Sequence, residues 1–274
     1  MNINLRVIKK IVLFSFVFIT CMLQGQINLS KEEIRQKTDS ILAEGNLLYQ
    51  YERVAWVSTD HAKERKDIKK RFGGYLIYQS GDSIKSIILE KGKSNCIYEM
   101  TYVNDFTTPN KEKSVNRGLS TLEIKLMNMR TKLLKEIFTP AYNVTISEGY
   151  NLNVELIPFE TGYKLYIITG TSKSDIIPMG NDYIFIADIN GKITSWRKFH
   201  SRLVPAITKI NGAKVREITH SHLRIEPFIS ATDICTFKLY GSIYGLDEFK
   251  VYSPALSKYF TYNAVKNTIV TDDK

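Results

Sequence analysis

The sequence predicts a mixed α+β protein, and three observations carry that expectation. Sixteen Tyr, thirteen Phe and many Val, Ile and Thr favour sheet over an all-helical bundle. Two capping boxes, Ser30 with Glu33 and Ser120 with Glu123, each open a segment with apolar residues at helical spacing. The remaining chain alternates short apolar runs with turn residues. Its 274 residues are 43% hydrophobic and 24% charged, with 15 Gly and 7 Pro, which excludes disordered, collagen-like and coiled-coil chains.

Residues 1–25 read as a secretory signal peptide. Arg6, Lys9 and Lys10 form a positive start, Ile11 to Cys21 an apolar run, and Leu23 and Gly25 occupy the −3 and −1 places of a cut before Gln26. The run is shorter than the roughly 20 residues of a membrane span, so no transmembrane segment is expected. The predicted location is secreted or periplasmic, with lipid anchoring through Cys21 as the alternative. Cys96 and Cys235 then remain, enough for one disulfide but not for a disulfide framework. The net charge is +10, a surplus that nucleic-acid binders share with many soluble proteins. Its densest run, His61 to Arg71, reads as a solvated helix face, and no nucleic-acid partner is expected.

After the leader, residues 26–150 form a smaller helix-plus-β-meander segment. The first capping box starts an amphipathic helix from Ser30 to about Asn46, with Ile34, Ile41 and Leu42 on its apolar side. Strands follow at Gly74–Gln79, Ile84–Glu90 and Cys96–Val103, joined by the turns SGDS and KGKS. A polar loop, TTPNKEKSVNRG, leads to the second capping box, whose helix carries Leu122, Leu126, Met129, Leu133 and Ile137 and stops before Pro140. Met127 and Met129 are read as core filler. From Asn151 to the end the chain is strand-rich: 152–157, 163–169, 183–188 and 192–198, the last two joined by Asn190-Gly191, then 213–222. A helix from Ser230 to about Tyr240 and short strands at 249–253, 259–263 and 268–270 close it.

The candidate chemistry lies where strand 213–222 meets that helix. His220 and His222 stand two apart, Ser230 follows after seven intervening residues, and Asp233 lies three beyond it. Histidines at i and i+2 of a strand share one face, and a seven-residue loop can bring the next helix's first turn over it. Two imidazoles, a carboxylate and water make a catalytic Zn²⁺ site. Each fragment also has a plain reading: Ser230 and Asp233 as a capping box, the HSH tripeptide as two half-exposed histidines.

The pattern HxH, seven residues, SxxD at His220, His222, Ser230 and Asp233 resembles the signature of the JAB/MPN-type (JAMM) metalloproteases. The preceding strand KVREIT and the following helix ATDICTFKLY stand where that family has them, and Leu223 stands where it carries Pro. The resemblance spans about 120 residues of the C-terminal half. It implies a JAB/MPN-like (cytidine deaminase-like) mixed sheet with flanking helices over residues 151–274. It further implies zinc on His220, His222 and Asp233, and Ser230 helping to hold the tetrahedral intermediate.

The family's catalytic Glu lies some tens of residues upstream and must stand within hydrogen-bond reach of the attacking water. Glu160, just ahead of the Tyr163 strand, is the best-placed candidate, with Glu155 and Glu148 in reserve. Glu217 points opposite to the two histidines by strand parity. His61 and His200 have no ligand-spaced partners and are read as surface or capped residues. Three functions compete: a secreted or periplasmic zinc hydrolase acting on a protein or peptide substrate, a JAB/MPN-like binding or scaffold protein without turnover, and an extracytoplasmic structural protein without metal.

Overall fold

A computed structural model describes residues 29–273; the expected leader and Cys21 lie outside them. Within these residues the fold is mixed α+β, with antiparallel sheets and four helices.

Helix α1 (Lys31–Glu64) starts as its capping box predicts, Ser30 Oγ accepting the Glu33 N–H at 3.2 Å. It runs well past Asn46, because Leu48, Tyr51, Ala55, Ser58 and Ala62 continue one buried stripe at helical spacing. The basic run is helical as expected, filling the end of α1 and a short α2 (Lys66–Arg71) in which only Ile68 is buried.

Strands β1 (Phe72–Ser80), β2 (Ser83–Glu90) and β3 (Asn95–Tyr102) form the predicted meander. The segment expected as a polar loop instead supplies a fourth strand, β4 (Lys111–Gly118). An edge strand needs only one hydrogen-bonded neighbour, and charged side chains protect its open side, so its composition imitates a loop. Helix α3 (Thr121–Ile137) begins at the second capping box and ends before Pro140.

β5 (Asn151–Phe159), β6 (Gly162–Gly170), β8 (Tyr183–Asp188) and β9 (Ile193–Lys198) form a second antiparallel sheet in the order β5-β6-β8-β9. Between β6 and β8 lies β7 (Ile176–Gly180), which sequence patterning did not mark and which pairs with β10 (Leu203–Ile207). The single strand expected over 213–222 is broken. β11 (Lys209–Ile210) pairs with β12 (Ala213–Lys214), and only β13 (Thr219–Ser221) continues to the histidines. Helix α4 (Ala231–Tyr244) outlasts its expected end and closes on Gly245 at φ 69°, a left-handed position that suits glycine. β14 (Glu248–Ser253), β15 (Lys258–Asn263) and β16 (Thr268–Asp273) complete a mixed sheet β13-β14-β15-β16. β13 and β14 are parallel, and α4 is the crossover that such a pair requires.

Two apolar clusters hold these parts. Helix α3 packs Leu126, Leu133 and Ile137 between the first two sheets, against Ile87, Leu165 and Phe185. The other cluster joins Leu48 and Val54 of α1, Ile88 and Ile97, Ile234 and Phe237 of α4, and Val251 and Phe260. Core residues from both sides of Asn151 therefore pack together. Helices α1 and α4 lie close together at Gly45, where an added Cβ would lie 2.8 Å from Ile234 Cβ. Cys96 and Cys235 are both free and buried, one in each cluster, so the disulfide allowed by the sequence is not formed.

Candidate metal centre

Four elements converge at one end of α4. Parallel pairing sets Thr219 against Lys250, His220 against Val251 and Ser221 against Tyr252, and the His222 N–H donates to Tyr252 O at 3.0 Å. Strand alternation then buries both imidazoles while Thr219 and Ser221 face solvent. Glu217 lies exposed and pairs with Lys250 at 3.0 Å, away from the histidines as parity requires.

Asp233 occupies the first turn of α4 and is 1% exposed. Its Oδ2 belongs to the capping box, accepting from Ser230 N at 2.9 Å and Ser230 Oγ at 2.7 Å. Its Oδ1 accepts no hydrogen bond among the described residues and stands 3.3 Å from Nε2 of both His200 and His220.

His200, read from sequence as a surface or capped residue, is the third imidazole of this group. It follows β9, whose hairpin with β8 brings Phe199 N within 3.2 Å of Asp182 O. His200 Nδ1 lies 2.7 Å from Asp182 Oδ1, while Asp182 Oδ2 accepts from the Thr232 hydroxyl of α4. Asp182 thus ties the hairpin to the helix. His200 and His220 Nε2 are 3.3 Å apart, as are His220 and His222 Nε2, and His222 Nε2 lies 3.0 Å from Asp233 Oδ2.

These separations test whether a cation fits. Tetrahedral coordination with bonds of about 2.0–2.1 Å places neighbouring donor atoms about 3.3–3.4 Å apart. Three histidines and Asp233 offer one ligand atom each, all within 4.8 Å of one another, and all four residues are buried. With Nδ1 turned to Asp182, a neutral His200 presents an Nε2 lone pair to the centre. Its neighbours are another imidazole nitrogen and an oxygen without a proton to share, and a cation satisfies all three. The donor set fits a divalent metal.

The electrostatics agree. Burial pushes the Asp233 carboxyl up, but the three imidazoles more than offset this and hold it well below its ordinary range. Burial lowers His220. Burial lowers His200 as well, yet Asp182 and Asp233 carry it up to about 9. Without a metal the proton on His200 is the positive partner of Asp182 and Asp233, and a bound cation would take the place of that proton.

Of the residues singled out from sequence, His220, His222, Ser230 and Asp233 lie together. Glu160 does not join them. It sits exposed in the turn between β5 and β6, beside Gly162, which pairs with Asp188 at the far end of β8 from Asp182. Six residues of strand separate those ends by about 20 Å. Glu148 is exposed, and Glu155 is buried in mid-β5, where its Oε1 accepts from Tyr75 OH at 3.4 Å.

A cleft of about 220 Å³ opens beside Ser230, lined also by Lys37 and Glu44 of α1, Arg197, Phe228 and Glu226, and none of His200, His220, His222 and Asp233 lines it. Ser230 connects cleft to centre through its bond to Asp233. Comparison with protein families, curated proteins and solved structures finds no match.

Proposed function

We propose that this chain is a secreted or periplasmic zinc-dependent hydrolase of the JAB/MPN type, acting on peptide or isopeptide bonds. The observation that carries the reading is the convergence of three imidazole Nε2 atoms on the Asp233 carboxylate, two at 3.3 Å from Oδ1 and the third at 3.0 Å from Oδ2, at the spacing of metal ligands and next to Ser230, which lines a cleft. His200, His220, His222 and Asp233 would hold the metal. Bound there, zinc would supply a Lewis acid able to make water nucleophilic near neutral pH. The imidazole and carboxylate donors suit zinc among the common divalent ions. Asp182 orients His200, and the Ser230 hydroxyl steadies Asp233 from the side that faces the cleft.

Four protein donors also favour a second reading, a closed centre that stabilises a binding or scaffold protein without turnover. One preparation separates the two. Chain expressed without a His tag should contain one equivalent of zinc and cleave peptides from a fluorogenic library, and chelation should remove that activity. One equivalent of zinc with no cleavage of peptides or isopeptide-linked conjugates selects the closed centre. Absence of metal from protein refolded in excess zinc overturns both.

A further inference from the structure

β10 and the segment leading into β13 are the two arms of one hairpin, closed at its turn and open beyond it. At the turn Lys209 pairs with Lys214 and Ile210 with Ala213, and the Val215 N–H donates to Thr208 O at 2.9 Å. Past that bond no strand pairing joins the arms among the described residues: β10 pairs with β7 alone, and β13 with β14 alone. A groove of about 310 Å³ fills the opening, lined by residues 204–207 on one arm, 217–220 on the other, and Ile210 and Val215 at the closed end. Successive residues line it on both arms, whereas the face of a strand would offer every second one, so the groove runs along free backbone edges. No residue of β7 or β14 lines it. At its far end stands His220, one of the four metal donors.

The edge of β10 is bare. Strand β4 guards its open edge with Lys111, Glu112, Lys113 and Arg117, but β10 reads Leu-Val-Pro-Ala-Ile and carries no charge. Ile207 and Ile210 are 54% and 56% exposed. Pro205 withholds one N–H from the edge and leaves its carbonyl. At the closed end Lys209 and Lys214 stand directly opposite each other, both exposed and without an ion pair among the described residues. Like charges so placed repel, and an anion between them relieves the repulsion. An occupant that satisfies this groove has a free backbone to pair, apolar side chains, and negative charge at one end.

We propose that the groove docks an extended segment of a separate polypeptide, added as a strand between β10 and β13. Its apolar side chains would pack on Ile207 and Ile218, and an acidic residue would meet Lys209 and Lys214. Strand addition draws affinity from main-chain hydrogen bonds and selectivity from the pockets met by alternate side chains. Docking stands on the groove alone. Cleavage of the docked segment, whose backbone would pass His220, rests on the hydrolase reading.

The test uses a fluorescein-labelled peptide with an Asp-Glu pair followed by alternating Val and Thr. It is made also in reverse order, with two Lys in place of the acids, and with the backbone nitrogens of the Val-Thr stretch methylated. Anisotropy should show saturable binding of an acidic peptide to the full mature chain. Methylation and I207E should each weaken binding by about tenfold or more, the first by removing edge hydrogen bonds and the second by charging the bare edge. K209E/K214E should weaken the acidic peptide and favour the lysine one. All three positions are exposed, so the variants should keep the wild-type melting temperature and zinc content. Several results overturn the proposal: no saturable binding by any of these peptides, a methylated peptide that binds as well as its parent, or wild-type affinity in I207E or K209E/K214E. A wild-type dimer that I207E converts to monomer overturns it too, by assigning the free edges to a second copy of the chain. A peptide that binds but is not cleaved by zinc-loaded protein upholds docking and defeats the hydrolase reading. Cleavage unchanged in both variants upholds the hydrolase and defeats docking.

Discussion

His200 and Asp182 form a buried pair, Nδ1 to Oδ1 at 2.7 Å, that no spacing in the sequence announces. The pair fixes which imidazole nitrogen faces His220 and Asp233, because a ring whose Nδ1–H is held by a carboxylate leaves only Nε2 for the centre. Asp182 is also bound by Thr232, so the same carboxylate locks the β8–β9 hairpin to the first turn of α4.

D182A should therefore weaken metal binding without removing a ligand. Loss of an outer partner of a ligating histidine costs about 10- to 100-fold in affinity. Competition against a chromogenic chelator would measure it. An unchanged zinc affinity in D182A would mean that His200 is oriented by packing alone.

Removing His200 or His222 alone leaves two imidazoles and the Asp233 carboxylate, still the donors of a three-ligand zinc site, so H200A and H222A should each retain metal at lower affinity. The double variant H220A/H222A keeps one imidazole and the carboxylate and should lose stoichiometric zinc. Metal analysis after gel filtration reads all three. Full zinc occupancy in the double variant would exclude the cluster as the binding site.

Much of this site was legible because it is local. His220, His222, Ser230 and Asp233 lie within fourteen residues, and strand parity plus one capping box suffice to bring them together. His200 was not legible, although the β8–β9 hairpin that carries it was: its register sets Tyr183 against Lys198, and one further step brings Asp182 to Phe199, next to His200. What the sequence lacks is any sign that this hairpin end docks on α4, since that depends on apolar contacts between distant segments. Glu160 was misplaced for the same reason. Its strand was recognised, but which end of the sheet faces the histidines is a matter of tertiary packing. The unmarked strands β7 and β4 show the complementary difficulty, one short and one charged, with pairing supplied by partners elsewhere in the chain.

Gly45 sets how closely α1 and α4 can lie, and through α4 it sets where Asp233 stands. An alanine Cβ there would meet Ile234 Cβ at 2.8 Å and Ala231 O at 3.1 Å, neither of which is the end of a flexible chain. G45A should cost about 1–3 kcal/mol of stability by overpacking, against a gain of up to about 1 kcal/mol from better helix propensity. The helices must part near Ala231, so metal affinity should drop together with urea resistance. A G45A protein as stable as wild type with unchanged affinity would show that the α1–α4 contact is slack.

The last prediction concerns a buried carboxylate pair away from the metal cluster. Glu155 on β5 and Glu52 on α1 are 2% and 0% exposed. Asn153 Nδ2 donates to Glu52 Oε2 at 3.0 Å, Tyr75 OH to Glu155 Oε1 at 3.4 Å, and Glu52 Oε1 has no hydrogen-bond partner among the described residues. Burial raises the Glu155 carboxyl to about 7, against the opposing pull of Arg130 and Tyr75. Burial, and then repulsion from Glu155, push Glu52 well up. A carboxyl whose folded value stands above its unfolded value of 4.5 binds its proton more tightly in the folded chain. The stabilisation is therefore complete below pH 4.5 and is lost as pH rises through about 7. Glutamine at 155 keeps the acceptor for Tyr75 and cannot ionise, so E155Q should flatten that slope. At pH 8 it should be more stable than wild type, by an amount on the order of 3 kcal/mol at most, with the advantage shrinking toward pH 4.5. Urea unfolding of both proteins across this range gives the difference directly. An advantage that grows on acidification would reverse the sign and show that Glu155 is ionised in the folded protein throughout.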